Sequence, residues 1–345
     1  MTKSDTQSSQ AIGPDTGIAA RLSSFAASQI GRLAIITALI FVAMTVLSPE
    51  RFLSTANMTS MAFQFPEFAI LALAMMLAML TGGIDLSVIG VANLSAICGA
   101  LTLSTLAGVS ATGLDAGLII VLAIVIALTV GLLAGLINGI AIGHFGLPPI
   151  LATLGSGLVF TGLGVAITGG SAVIGFPGGF SMIGNGRFIG IPVPVIIFAV
   201  LAGAIALMLN RTGYGTRIML LGANPLAARF SGMNDLRITI RSYMMGGALA
   251  ATAGLVIMSR ANSAKADYGS SYLLLTVLIC VLGGINPYGG FGRIAGLVLA
   301  VLSLQFFSSG LNMLQVSNFA REFIWGALLL VVMVVNSSML TGNRR

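Results

Sequence analysis

Residues 68–90 read FAILALAMMLAMLTGGIDLSVIG. Thirteen apolar residues, Phe68 to Leu80, run without interruption into Thr81-Gly82-Gly83, and a second apolar stretch opens at Val88. A strand cannot absorb so long a run, and a soluble core helix would carry a polar stripe. The pattern is that of one membrane helix, a tight return and the start of the next. Asp85 stands in that return, where it is read either as reaching water or as capping the helix that starts near Leu86, at the positive end of the helix dipole. Gly82 and Gly83 allow the reversal without a Cβ clash.

The same reading extends over the chain. It has 345 residues, 57% hydrophobic and only 7% charged, with a mean hydropathy of +1.05. Soluble domains carry about 25% charged residues, so a soluble fold is excluded. Scanning for runs able to cross about 30 Å of hydrocarbon predicts an all-α bundle of about ten transmembrane helices, some short or broken. The runs lie near 33–48, 66–81, 88–107, 117–142, 150–169, 193–209, 242–259, 272–283, 294–311 and 322–338. The second and eighth are short, and both end in Gly-Gly. Residues 1–31 are expected to form a polar tail, 32–341 a single membrane domain, and 210–241 its main polar loop.

Sixteen Lys and Arg set the orientation. With alternating spans, eleven fall on the side of the N-terminus, among them Arg217, Arg229, Arg237 and Arg241. Five fall on the other, including Arg51, Arg187 and Arg260. This predicts an even number of spans with both termini in the cytoplasm, and an external segment at 170–191. The net charge of +7 is therefore a matter of topology, and no nucleic-acid partner is expected. Cys98 and Cys280 lie within apolar runs, and His144 has no companion at ligand spacing, so neither a disulfide framework nor a metal site is expected.

Several motifs carry more. Asn224 is placed to cap a short helix from Pro225 to Ser231, which Gly232 stops. Leu226 and Phe230 then share one face, either to dock a partner or to rest on the bilayer. Gly131, Gly135, Gly139 and Gly143 repeat every four residues, as a close helix-packing seam requires. Residues 80–96 and 281–296 share a Gly-Gly-Ile-Asp/Asn core, either a parallel internal repeat or chance similarity. Gln64, Phe65, Asn93, Asn138, Asn286 and Asn312 are candidate pathway residues for an uncharged solute, each alternatively an interhelical hydrogen bond.

Four segments together, LTGGIDLSV, LPPILATLGSGLVFTGLGVAITGG (147–170), GANPLAARFSGM (222–233) and VLGGINPYGGFGRIAGLVLA, resemble the ribose/xylose/arabinose-type permeases of bacterial ABC importers. The resemblance runs in order from about residue 60 to 338. It implies that Asn224, Pro225, Ala227, Ala228, Arg229, Ser231 and Gly232 form the segment coupled to a separate ATPase. It further implies a second permease subunit, identical or not, and a periplasmic sugar-binding protein, in the inner membrane. ATP and Mg would then bind the partner ATPase, with no cofactor on this chain. The residues agree: the only lysines, Lys3 and Lys265, stand in no Walker A context. The alternatives are an ion-coupled secondary transporter, undersupplied with intramembrane carboxylates, and a membrane scaffold.

Overall fold

The computed structural model describes residues 28–107 and 112–342. The expected tail therefore lies, up to residue 27, outside the described residues. The fold is an all-α membrane bundle. Helix α1, Gln29–Leu47, opens with Ser28 Oγ accepting from the Gly31 N–H and is followed by the one-turn α2, Pro49–Phe52. Then come α3 (Thr55–Leu80), α4 (Val88–Leu106), α5 (Gly113–Gly143) and α6 (Pro149–Thr168). After a cap segment, α8 (Val193–Arg211) leads to α9 (Gly213–Ala223), α10 (Pro225–Phe230) and α11 (Asp235–Ala261). The chain closes with α12 (Tyr272–Leu282), α13 (Ile294–Met313) and α14 (Asn318–Gly342).

Eight of these are long and apolar enough to cross a membrane: α1, α3, α4, α5, α6, α8, α11 and α13. The eighth expected span is as short as its sequence suggests, 11 residues in α12. The second is not. Helix α3 has 26 residues and begins at Thr55, eleven residues before the expected boundary, because Ser54 Oγ accepts from the Asn57 N–H and starts it there. Pro66, read as an edge, sits inside the helix and withdraws only the one N–H that Ala62 would have met.

Helix α3 is the axis of the fold. Every residue from Pro66 to Leu80 is buried, with α8, α9, α11, α12 and α13 packed around it. The outer helices α5 and α6 keep rows of Leu, Ile and Val exposed, as a lipid-facing surface requires.

The glycine seam forms between α5 and α11. A Cβ on Gly135 would meet the backbone of Tyr243 and Met244, one on Gly139 that of Ile240, and one on Gly143 the Leu236 side chain. Gly131 and Gly247 face each other. Four-residue spacing thus brings two antiparallel backbones into contact, where dispersion replaces the hydrophobic effect as the attractive force.

The segment between α6 and α8 is a folded cap rather than a plain loop. It holds β1 (Val173–Ile174), a 3-10 turn (Gly178–Phe180), α7 (Ser181–Asn185) and a hairpin of β2 (Arg187–Phe188) and β3 (Ile191–Pro192). Strand β1 pairs antiparallel with β4, Ser263–Ala264. Ser259 Oγ accepts from the Gly184 N–H and donates to the Phe180 carbonyl, fixing the cap to the end of α11.

The two Gly-Gly-Ile segments repeat one local geometry. Asp85 Oδ1 accepts from the Ser87 N–H at 2.9 Å, and Asn286 Oδ1 accepts from the Tyr288 N–H at 3.1 Å. Their left-handed glycines differ: Gly82, first of its pair, is at φ +87°, whereas the second return uses Gly284, second of its pair, at φ +78°, together with Gly289 and Gly290. The returns also meet: the Gly290 N–H donates to the Leu80 carbonyl at 3.1 Å.

Candidate functional site

Two features stand at opposite ends of α3, a pair of cavities and a short exposed helix. At its N-terminal end, two adjoining cavities of about 290 and 340 Å³ lie between α3, α12, α13 and the start of α14. Both reach Gln64, Ser308 and Arg321. The outer one is polar, with Asn57, Ser60 and Asn312; the deeper one adds Gln305 and the rings of Phe68, Tyr272 and Trp325. Amides and hydroxyls are partly tied up locally. Gln64 Nε2 donates to Ser60 Oγ at 2.7 Å, and Ser309 Oγ donates to Asn57 Oδ1 at 2.8 Å. Such a lining suits a neutral, hydroxyl-rich solute, since it offers hydrogen bonds and ring faces with a single guanidinium.

Below this cavity lies a charged pair whose carboxylate is buried and whose guanidinium is partly exposed. Arg260 Nε lies 3.1 Å from Glu67 Oε1, and Tyr272 OH donates to Glu67 Oε2 at 3.1 Å. The arginine that topology counting assigned to an external loop is thus the last turn of α11, closing onto α3.

At the other end of α3 stands the short capped helix. Asn224 Oδ1 accepts from the Ala227 N–H at 3.0 Å, Pro225 is its first residue, and Gly232 follows it at φ +74°. The helix ends at Phe230, one residue earlier than expected. Ser231 Oγ donates to the Ala227 carbonyl, and Arg229 pairs with Asp235 at 2.6 Å. Leu226 and Phe230 are 63% and 85% exposed, whereas Ala228 is only 2% exposed. Ala228 therefore seats the helix on the body, leaving Leu226 and Phe230 as its free apolar face. The polar segment 210–241 is mostly helical, α9 and α10 together with the first turns of α11.

This helix is joined to α3 without slack. A Cβ on Gly222, at the end of α9, would strike the Leu80 carbonyl and Gly290, and one on Gly289 would strike Gly222. Three backbones (the end of α3, the end of α9 and the 286–290 return) meet at one point where only glycine fits.

The candidate pathway residues do not converge. Gln64 lines the cavity, and Asn312 lies at its outer edge. Phe65 is turned to α8, edge-on to Phe198 at 5.8 Å. Asn93 Nδ2 donates to the Ala266 and Tyr268 carbonyls, Asn138 Nδ2 to Ser87 Oγ at 2.7 Å, and Asn286 Nδ2 to the Gly289 carbonyl. The residues that sequence reasoning missed, Gln305 and Ser308, do carry a signal: with Asn312 they lie three and four apart, one polar stripe along α13.

Asp85 does not reach water; it is 4% exposed, and Ser87 Oγ also donates to its Oδ1. Burial pushes its carboxyl above the ordinary aspartate range, while the two bonds from Ser87 hold it down. Gly83 has no room for a side chain, with Tyr243 OH and Pro149 Cβ within 3 Å of where its Cβ would stand. Asp85→Asn is expected to keep the turn, as Asn286 does, and to melt at or above the wild-type temperature at neutral pH. Asp85→Ala removes the acceptor and is expected to cost about 1–3 kcal/mol. Because the folded carboxyl binds its proton more tightly than the unfolded one, acidification should favour wild type over Asp85→Asn. Thermal melts of the three purified proteins across pH check both points.

Residues 57–333 match the family model described as the permease component of the branched-chain amino acid transport system. The chain belongs to this permease family. Similar to this permease are the ribose import permease protein RbsC of Bacillus subtilis, 35% identical over 86% of this chain and 89% of that one, and that of Escherichia coli, 33% identical over 88% and 92%. The autoinducer 2 import system permease protein LsrD of Yersinia pseudotuberculosis is 32% identical over 84% and 86%. No solved structure matches the permease.

Proposed function

We propose that this permease is the translocation subunit of an ATP-driven importer and carries a monosaccharide or related polyol across the bacterial inner membrane by alternating access. The observation that carries the reading is the arrangement along α3. A polar, aromatic-lined cavity opens at one end, an exposed capped helix stands at the other, and one buried helix joins them. The relatives named for ribose and autoinducer 2 import support a hydroxyl-rich solute.

In this reading the cavity faces outward, where a periplasmic sugar-binding protein meets the cap formed by β1, α7 and β4. Helix α10 faces the cytoplasm, and both termini lie there, as the distribution of basic residues favours. ATP and Mg bind a separate ATPase chain, whose closure moves α10 and, through the Gly222–Leu80 junction, the end of α3. Two permease subunits, identical or not, then stand over two ATPases. An ion-coupled carrier is less well supported. Of the carboxylates within the bundle, Glu67 is engaged by Arg260 and Tyr272, and Asp85 is held in its own turn.

Leu226→Asp with Phe230→Asp tests the docking face. Apolar anchors of an interface are worth about 2 kcal/mol each, so their loss weakens ATPase attachment by about thirtyfold per residue. ATP-dependent sugar uptake by proteoliposomes of the assembled importer should collapse, while the permease keeps its melting temperature. Uptake at the wild-type rate, or uptake driven by a proton gradient without any ATPase, would refute the reading.

A further inference from the structure

The geometry points to a binding site for the phosphate of an anionic lipid headgroup, built from Arg217, Arg237 and Arg241 beside α10. The three side chains line a cavity of about 370 Å³ together with Tyr214, Met233 and Asn234, and it borders Ser231 and Gly232 at the end of α10. Arg237 and Arg241 are one turn apart on α11, and Arg217 reaches the same space from α9.

Convergence on one cavity without a counter-charge sets the three apart. Arg229, Arg260 and Lys265 each have a carboxylate within 3.1 Å. Among the described residues, Arg217, Arg237 and Arg241 have none, and the nearby Asp235 is taken by Arg229. Three guanidiniums facing one cavity repel one another until an anion enters, and their planar forks suit a phosphate.

Depth selects a lipid as the source. Arg241 immediately precedes the stretch of α11 that turns inward at Ser242 and Tyr243, both buried, and Arg211 ends α8 as that helix leaves its apolar run. The cavity therefore stands at headgroup level. Tyr214, half-buried with its hydroxyl donating to the Ile238 carbonyl, gives it an interfacial aromatic wall. Basic pockets between helices on the cytoplasmic side bind anionic headgroups by this combination of charge and depth. The site is independent of which solute the permease carries, and it places a lipid against the element that follows α10.

Native mass spectrometry of the full chain, released from bilayers mixing phosphatidylglycerol and phosphatidylcholine, tests it. Wild type should retain phosphatidylglycerol preferentially, and R237Q/R241Q should lower that preference by about thirtyfold, with R217Q intermediate. R237K/R241K should retain part of it, which a misfolded protein would not do. Equal retention by wild type and R237Q/R241Q overturns the proposal. So does stabilisation of wild type alone by inorganic phosphate in pure phosphatidylcholine, with lipid retention unchanged, which marks a free-anion site. Unchanged retention with loss of the co-purifying ATPase overturns it too, assigning the arginines to that interface.

Discussion

Gly135→Leu is expected to abolish assembly of the permease. Its first carbon would stand 2.7 Å from the Met244 Cα and against the Tyr243 carbonyl, both backbone atoms that no rotamer change can move. Ordinary overpacking costs about 1–3 kcal/mol, and separating α5 from α11 adds the contacts of the whole seam to that. Gly117, about five turns nearer the start of α5, has open space around its Cβ, and Gly117→Leu should leave the protein intact. Membrane-inserted, monodisperse protein on detergent size exclusion is the measurement. Loss for Gly135→Leu with retention for Gly117→Leu is the expected contrast, and equal yields would remove the seam from the stability argument.

The second large effect belongs to the Glu67–Arg260 pair. Arg260→Met leaves the Glu67 carboxylate, almost wholly enclosed, without its cation, and breaking such a pair costs about 3–5 kcal/mol. Changing both residues, Glu67→Gln with Arg260→Met, takes away the stranded charge and keeps an amide for Tyr272 OH. The double variant should therefore be more stable than Arg260→Met alone. Thermal melting of the two single variants and the double one measures the coupling. If the double variant is as unstable as the sum of its parts, the pair is not interacting.

Much of this architecture is legible in the residues because membrane helices obey few rules. Apolar length marks the spans, glycine every fourth position marks the α5 face that meets α11, and Asn224, Pro225 and Gly232 delimit α10 nearly to the residue. The start of α3 was not legible. Its first turns, TANMTSMAFQF, are mixed in polarity because they line a wet cavity, and a hydropathy scan reads that as the outside of a membrane. Nor does an all-apolar helix announce whether it faces lipid or protein, so nothing in residues 68–80 separates the axis of the bundle from its rim. The cavity itself joins α3 to the consecutive helices α12, α13 and α14, made far later in the chain. Gln64 and the stripe Gln305, Ser308 and Asn312 hint at it, and Phe306 and Phe307 mask that stripe in the linear sequence.

The enclosure of α3 from Pro66 to Leu80 also fixes an order of events during synthesis. Helix α3 is among the first spans to enter the bilayer, yet α8, α11, α12 and α13, which cover it, are made much later. Glu67 enters with it, 193 residues ahead of Arg260 and 205 ahead of Tyr272. Until those partners arrive, the carboxylate sits in the membrane as a proton-bearing acid or near its surface. The nascent permease thus has no finished interior at half length, and a ribosome stalled before α11 leaves a chain whose central helix faces lipid with an orphaned acid.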